Sequence, residues 1–341
     1  MRYNELKKNH ANYAPLTPIV FMEKAAKVFP DRLSIIHEDK YFTWQQTFKR
    51  CKQLASGLSQ KLAVGDVVGF IASNTPELYE AHFGVPMAGM VLNAINYRLD
   101  AQTIAYIIDH SDIKMLFVDT EFLSLAEKAV DLSKKKPNII IIKDEQTFTF
   151  EESYTRMDYE EFLVSHDLVS DYYKPLDEWE NLSINYTSGT TGNPKGVVYH
   201  HRGAYLNAMG NALEWDMKMH PTYLWTLPMF HCNGWCFPWT IAMRAGTNIC
   251  LRKVTGESIY EKISSHGVEY LCGAPTVLSF IINTEVDHVK KLSSTVKLMT
   301  AAAPPPAKIL EQIEKVGFDV THVYGLTEVY GPAVICKWKD D

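Results

Sequence analysis

The chain lacks the features that mark membrane-spanning, secreted and nucleic-acid-binding proteins. No stretch approaches the ~20 apolar residues of a transmembrane helix, and the N-terminal sequence MRYNELKKNHANYAPLTP has no apolar segment of a secretory signal. Lysine and arginine total 34 against 40 aspartate and glutamate residues, a net charge of −6. No long basic run is present, so nucleic acid is not expected as a main partner. We expect a soluble cytoplasmic protein without a transmembrane segment.

Cysteine is too sparse for a disulfide framework. Six cysteines are scattered over 341 residues, which fits a reducing compartment. His231, Cys232 and Cys236 lie close together, but a closed zinc site needs four ligands. No second Cys/His pair with suitable spacing follows, and a zinc site is therefore disfavoured.

The chain has enough apolar residues for a large core, because 46% of its residues are hydrophobic. Strand-like apolar runs alternate with helix-like patterns such as 77–88 and 258–266. This alternation predicts an α/β fold of mostly parallel sheets flanked by helices. The predicted strands cover 67–72, 115–118, 139–142, 182–186, 223–227, 247–251, 270–272, 298–301 and 320–324. We expect two α/β subdomains, 1–178 and 179–341, with ligands at the carboxyl ends of the strands.

The segment YTSGTTGNPKG, residues 186–196, is the most informative part of the chain. It combines three glycines, four Ser/Thr hydroxyls and Lys195. Glycines let the backbone approach an anion, amide and hydroxyl groups donate to its oxygens, and the lysine adds one full positive charge. The spacing differs from the kinase-type phosphate loop, in which Lys-Ser/Thr follows directly on the second glycine. The segment therefore predicts a phosphate-binding loop of another kind.

The longer string YTSGTTGNPKGVVYHHRG resembles the signature of the adenylate-forming superfamily: acyl-CoA synthetases, firefly-luciferase-like enzymes and peptide-synthetase adenylation domains. The run of residues 65–100 resembles the N-terminal subdomain of the short- and medium-chain fatty acyl-CoA synthetase branch. The resemblance implies the large N-terminal domain of these enzymes. It also implies that this loop binds ATP and AMP through Thr187, Ser188, Gly189, Thr190, Thr191, Gly192 and Lys195.

Two further segments resemble motifs of the same family. The motif YGLTE, residues 324–328, implies an adenine face at Tyr324 and Gly325, an α-phosphate contact at Thr327, and a magnesium ligand at Glu328. A tyrosine face can stack on a purine, and a carboxylate is the hard oxygen ligand that Mg²⁺ prefers. The segment AAAPPP, residues 301–306, resembles the small-residue loop that lines the adenine slot. Its implied nucleotide contacts are Ala302, Ala303 and Pro304.

The segment PMFHCNGW, residues 228–235, resembles the family's wall between adenylate and acyl group. The resemblance implies an acyl pocket formed by His231, Trp235 and Ala302. Peptide-synthetase relatives carry an aspartate for the substrate ammonium where His231 stands here. Because a buried cation needs a paired anion, an amino acid substrate is disfavoured and a simple carboxylic acid is expected.

The activity implied by the resemblance is a two-step ligation. A short- to medium-chain fatty acid attacks the α-phosphorus of ATP with release of pyrophosphate, and coenzyme A then captures the acyl adenylate. The implied catalytic residues are Lys195, Thr327, Glu328 and His231, with Mg²⁺ as cofactor. Two alternatives stay open: a nucleotide-binding module without catalysis, and an unrelated phosphotransferase.

Family members continue well beyond the equivalent of Asp341 into a mobile C-terminal lid domain. The resemblance therefore implies a C-terminally truncated chain, in which the lid's catalytic lysine and the ribose-binding residue cannot be located. The sequence leaves the oligomeric state open, with a homodimer as one candidate.

Overall fold

The computed structural model describes residues 7–144, 147, 156–166, 171–187, 192–290, 292–302 and 306–336. The strands of these residues are β1 (Leu33–His37), β2 (Lys40–Thr43), β3 (Val67–Ile71), β4 (Val91–Ala94), β5 (Ile113–Asp119), β6 (Asn138–Ile142), β7 (Asn181–Thr187), β8 (Lys195–His200), β9 (Thr222–Leu224), β10 (Thr247–Ile249), β11 (Tyr270–Gly273), β12 (Val296–Thr300), β13 (Phe318–Leu326) and β14 (Gly331–Cys336). The helices are α1 (Ile19–Val28), α2 (Trp44–Ser59), α3 (Pro76–Met87), α4 (Ala101–His110), α5 (Leu123–Leu132), α6 (Tyr159–Val164), α7 (His201–Glu214), α8 (Cys232–Trp235), α9 (Phe237–Met243), α10 (Gly256–His266), α11 (Pro275–Ile282) and α12 (Ala307–Lys315).

The strands form two sheets that are parallel in their centres. The six-stranded sheet has the order β6-β5-β3-β4-β7-β8, and the eight-stranded sheet has the order β14-β13-β12-β11-β9-β10-β1-β2. Antiparallel pairs occur only at the edges of the described sheets, between β7 and β8, β13 and β14, and β1 and β2. Parallel strands place their carboxyl ends at one edge of a sheet, where ligands bind in such folds.

Every predicted strand overlaps an observed one, and the predicted helices 77–88 and 258–266 correspond to α3 and α10. The strands without a prediction are β1, β2, β4, β8 and β14. Each sheet contains strands from both sides of the predicted 178/179 boundary. The division into subdomains therefore stays a prediction and does not describe how the sheets are composed.

Helix α3 lies entirely inside the molecule. All 12 of its residues are buried, and a helix that is buried on every side has no exposed polar face. Of its two glutamates, Glu80 accepts hydrogen bonds from Arg50 Nε at 2.5 Å and from Tyr159 Oη at 2.8 Å. Burial nevertheless raises the pKa of the Glu80 carboxyl to about 7, against the opposing effect of Arg50.

Two groups of contacts connect the six-stranded sheet to the eight-stranded one. In the first, the ionic junction, the Arg252 guanidinium after β10 donates to Asp119 at 2.7 Å and to Asp144 at 3.0 Å. Its other nitrogen donates to Glu121 at 2.6 Å, and His37 Nε2 lies 2.7 Å from Asp144 Oδ2. The two aspartates, the arginine and the histidine are all buried side chains.

The second group, the neutral junction, contains no ion pair. It consists of Ser183, Asn185 and Tyr199 from β7 and β8, and of Asn233 and Thr327 from the other side. Asn233 Oδ1 accepts from Ser183 Oγ at 2.5 Å and from Asn185 Nδ2 at 2.6 Å. Tyr199 Oη donates to the Thr327 carbonyl at 2.7 Å. These contacts fix the strands of the phosphate-loop hairpin against α8 and against the turn that follows β13.

Within the described part of the chain, no helix is long and apolar enough to cross a membrane.

Candidate active site

Two adjoining cavities lie where the two sheets face each other. The first has a volume of about 160 Å³ and the second about 340 Å³. Both are lined by Thr187, His231, Cys232 and Thr327. One cleft is therefore shared by three predicted segments: the strand that enters the phosphate loop, the aromatic pocket segment and the YGLTE turn. Their positions at strand ends predict this.

The phosphate-loop side of the cleft is a β-hairpin. Strands β7 and β8 pair antiparallel, and Thr187 lies opposite Lys195 in the register. Thr187 lines both cavities and Pro194 lines the smaller one. The Lys195 side chain is exposed and lines neither cavity among the described residues.

The facing side is the turn between β13 and β14. Gly325 and Gly331 come together at its base, where a Cβ on Gly325 would overlap the Gly331 carbonyl oxygen. Gly331 has a φ of +107°, and a Cβ there would lie 3.0 Å from the Trp235 backbone. Both glycines are therefore required by close backbone approach, and they let Thr327 and Glu328 project at the larger cavity.

The tip of this turn is held by an aromatic contact to β8. The rings of Tyr199 and Tyr330 stack at 4.0 Å between centroids, and Tyr330 Oη accepts a hydrogen bond from His200 N at 2.9 Å. The Tyr330 ring lies directly over Gly203, at the start of α7, where a Cβ would overlap it. Tyr330 itself has a left-handed backbone with a φ of +69°, so packing stabilises a conformation that the residue alone disfavours.

Helix α8 is a left-handed turn. Residues 232–236 all have positive φ, from 42° at Asn233 to 65° at Cys236. For residues other than glycine this region costs roughly 1–2 kcal/mol each, so the turn has to be stabilised by its surroundings. The buried Asn233 supplies that support, because its side-chain oxygen accepts from Ser183 and Asn185 and its backbone N–H donates to Asn185 Oδ1 at 3.1 Å.

His231 lies just before the left-handed turn and lines both cavities. The segment that carries it is fixed by the buried Asn74, which accepts from Met229 N at 2.8 Å and donates to the carbonyls of Trp225 and Leu227. The His231 side chain is open to the cleft. Partial desolvation by the cleft walls, and then the Arg98 guanidinium, lower its pKa and so favour the neutral imidazole.

The cleft brings together several of the predicted site residues. Thr187, His231, Trp235, Ala302, Gly325, Thr327 and Glu328 line one or both cavities. Gly192 and Lys195 lie on the hairpin outside the cavity walls, and Tyr324 is 58% exposed on β13. The remaining predicted residues, Ser188, Gly189, Thr190, Thr191, Ala303 and Pro304, lie outside the described residues. The roles of all these residues stay predictions.

Sequence reasoning overlooked the residues that hold the cleft together. Tyr199, Asn233 and Tyr330 do not belong to the predicted site, and Cys232 is considered only as a metal ligand. A usable signal exists for two of them. The pair Asn233-Gly234 is a turn signal, and a tyrosine in an apolar strand needs a partner for its hydroxyl.

The fold is similar to that of the inhibitor-bound N-terminal domain of FACL13 from Mycobacterium tuberculosis. The TM-score is 0.82 at 24% identity, over 94% of this chain and 78% of that one. The molecule therefore has the fold of the large N-terminal domain of adenylate-forming enzymes, and the predicted fold class is confirmed.

The sequence comparison is more specific than the fold. The model of the family described as AMP-binding enzyme matches residues 22–341, and the chain belongs to this family. It is 46% identical to an acetate/butyrate–CoA ligase of Arabidopsis thaliana and 44% identical to a trans-cinnamate:CoA ligase of Petunia hybrida, over 99% of its length in both cases. The chain spans 62% of the length of each of these relatives. The predicted family is confirmed.

The same comparison shows that the expectation of a cytoplasmic protein is wrong. The names of both relatives describe them as peroxisomal. The error has a physical reason: import into peroxisomes depends on short addresses that are read by receptors. Composition and hydropathy carry no such address and do not distinguish the cytosol from a peroxisome.

Proposed function

We propose that this chain forms the nucleotide- and acyl-binding part of an AMP-forming acid–thiol ligase. Its substrates are ATP, a short- to medium-chain carboxylic acid and coenzyme A, and its products are acyl-CoA, AMP and pyrophosphate. The observation that carries the proposal is that Thr187, His231 and Thr327 line the same pair of cavities. Membership of the AMP-binding enzyme family and the likeness to CoA ligases support it.

The residues of the cleft suit distinct parts of this reaction. Thr187 and Thr327 provide neutral hydroxyl groups on two sides of the cavities, which can hold a phosphate without adding charge. His231 lines both cavities, and its lowered pKa favours a neutral imidazole, which can orient the carboxylate of the acid without forming a buried ion pair. Trp235 and Ala302 line the larger cavity and supply apolar surface for the acyl chain.

Magnesium fits this site as a partner of the nucleotide. Glu328 presents an exposed carboxylate at the larger cavity, and the described residues include no group of three side chains that could hold a metal ion by themselves. This donor set matches Mg²⁺, which is commonly bound through one or two carboxylates together with phosphate oxygens. When bound, the ion would neutralise charge on the phosphates.

The proposal is tested on the 341-residue chain with ATP, Mg²⁺ and a ladder of carboxylic acids from acetate to octanoate, with butylamine and glycine as controls. We expect binding of AMP by calorimetry and acyl-AMP detectable by mass spectrometry for short unbranched acids. Thr327→Val should weaken binding of AMP, whereas Thr284→Val, just after α11 and lining neither cavity, should not. Absence of AMP binding would overturn the proposal, and ATP binding without acyl-AMP would reduce it to nucleotide binding.

The peroxisomal names of both relatives also favour a peroxisomal location for the gene product. Fluorescence imaging of the complete tagged gene product, together with a peroxisomal marker, tests this. Diffuse cytosolic signal with a correctly exposed C-terminus would contradict it.

A further inference from the structure

The thiol of Cys232 contacts the side chain that is proposed to bind the α-phosphate. Cys232 Sγ lies 3.2 Å from Thr327 Oγ1, and Cys232 is only 5% exposed while lining both cavities. The Thr327 carbonyl is already occupied by Tyr199 Oη at 2.7 Å. The backbone of Thr327 is thus fixed by a tyrosine and its hydroxyl by a cysteine.

The direction of the thiol contact decides what the Thr327 hydroxyl can do. A threonine hydroxyl has one hydrogen to donate and two lone pairs to accept with. If the hydroxyl donates to sulfur, its only hydrogen is used. If the thiol donates to the hydroxyl, the hydroxyl hydrogen stays available for an anion in the cavity.

The surroundings keep the thiol protonated and so able to donate. Burial raises the pKa of the Cys232 thiol against the opposing effect of its contact with Thr327, and the nearby Glu328 carboxylate raises it further. A thiolate would be a poor neighbour for a phosphate in any case, because the two negative charges repel.

We propose that Cys232 is a positioning residue for the nucleotide site: its S–H donates to Thr327 Oγ1 and turns the Thr327 hydroxyl hydrogen toward a phosphate oxygen. This inference rests on the proposed function of the cleft. It assigns a role to the left-handed turn, which presents the Cys232 side chain to the turn after β13 although its backbone conformation is unfavourable for the chain alone.

The same turn offers a matched control. Cys236, four residues further on, also contacts the turn after β13, and its Sγ donates to the Tyr330 carbonyl at 3.5 Å. Cys236 is fully buried and lines neither cavity among the described residues. It shares the chemistry, the left-handed backbone and the neighbouring turn with Cys232, but it does not touch the Thr327 hydroxyl.

The experiment compares AMP with adenosine, because only AMP carries the phosphate that the Thr327 hydroxyl would contact. Calorimetry on the wild-type chain and on Cys232→Ala should show AMP affinity reduced about 3- to 10-fold, the effect of one hydrogen bond, with adenosine affinity unchanged. Cys232→Ser, which retains a donor, should stay within about 2-fold of wild type for AMP. Cys236→Ala should lower the melting temperature and leave the ratio of AMP to adenosine affinity unchanged.

A double-mutant cycle with Thr327→Val isolates the contact. In the Thr327→Val background, Cys232→Ala should cause no further loss of AMP affinity. If Cys232→Ala does not fold, the infrared S–H stretching band of the wild type tests whether the thiol donates to Thr327. The difference spectrum between wild type and Thr327→Val should show one thiol losing its hydrogen bond.

The outcomes separate the two proposals. If the wild-type chain does not bind AMP, the proposed function fails and this inference fails with it. If AMP binds but Cys232→Ala leaves the ratio of AMP to adenosine affinity unchanged, or weakens both ligands equally, only the role of Cys232 is overturned. The same holds if Thr327→Val leaves the S–H band unchanged.

Discussion

The ionic junction and the neutral junction join the same two sheets with opposite chemistry. The ionic junction buries Arg252 between Asp119 and Asp144, and each of these charges pays a desolvation penalty that only its partners offset. The neutral junction uses two amides, a serine hydroxyl and a phenol, which are cheaper to bury when they are hydrogen-bonded. Neither cavity is lined by Arg252, Asp119 or Asp144.

The placement of the two junctions follows from what the cleft is proposed to bind. A fixed ion pair beside the cavities would compete with a polyanionic nucleotide for its counter-charges. A network such as Asn233 with Ser183 and Asn185 fixes the cleft without adding charge to it. The neutral junction therefore fixes the cleft, and the ionic junction joins the sheets away from it. Three substitutions and a change of pH can test this division.

The largest effect should come from breaking the ionic junction. Arg252→Met leaves the buried carboxylates of Asp119 and Asp144 without their arginine, and we expect a loss of about 3–5 kcal/mol in the free energy of unfolding. Urea unfolding monitored by tryptophan fluorescence measures it. The control is Arg156→Met, whose ion pair with Glu127 is solvent-exposed and should contribute at most about 1 kcal/mol. Similar losses in both variants would contradict the distinction.

Breaking the neutral junction should reduce the free energy of unfolding less than breaking the ionic junction, but it should weaken AMP binding more. Asn233→Ala removes the acceptor of Ser183 and Asn185 and leaves alanine in a left-handed conformation. We expect a loss of about 2–3 kcal/mol, together with weaker AMP binding, because β7 leads into the phosphate loop. Urea unfolding and calorimetry measure the two effects. Asn283→Ala, at the exposed end of α11, is the control, and an equal loss there would refute the assignment.

A change of pH should act through two buried histidines that belong to neither junction. The neutral junction has no group that titrates in acid, whereas burial lowers the pKa of His82 and of His201 to about 4. The unfolded chain binds protons on these groups near pH 6.5, so stability is present above that pH and is lost as the pH falls toward 4. We expect a loss of about 2 kcal/mol per histidine between pH 6.5 and 5.

The measurement is urea unfolding at both pH values for wild type and for His82→Gln. The variant should show a smaller pH dependence than wild type. An identical dependence in the two proteins would exclude His82 as a source.

The smallest effect should come from a single hydroxyl group. Tyr199→Phe removes the donor to the Thr327 carbonyl but keeps the stacking on Tyr330. Because the Tyr330 N–H also donates to this carbonyl at 3.2 Å, we expect a loss of only about 1 kcal/mol in unfolding free energy. Tyr41→Phe, at an exposed position of the edge strand β2, should be neutral. If Tyr199→Phe lost more unfolding free energy than Asn233→Ala, the proposed order of the two contacts would be reversed.

Parts of the cleft could be predicted because they depend on local sequence. The segment 186–196 and the YGLTE turn each combine glycine with polar donors directly after an apolar strand, and parallel strands bring such ends together. The helix at α3 could also be predicted from its start at Asn74-Thr75-Pro76. Its burial on all sides could not, since it depends on α1, α2, α9 and strands of both sheets packing around it.

The remaining features depend on residues far apart in the chain. Arg252 meets Asp119 and Asp144 only after both sheets have formed, and nothing in the local sequence around Arg252 indicates those partners. The left-handed turn at 232–236 has a turn signal in Asn233-Gly234, but its handedness is imposed by the amide contacts to β7. Long-range packing overrides local preference at these positions.

The pairing of β1 has a consequence for synthesis on the ribosome. This N-terminal strand joins its sheet through β10, with Ile35 opposite Asn248. At roughly 5–20 residues per second, the ribosome needs roughly 10–40 s to make the intervening chain. During that time β1 remains without its parallel neighbour, so the nascent chain exposes an apolar strand to which a chaperone can bind.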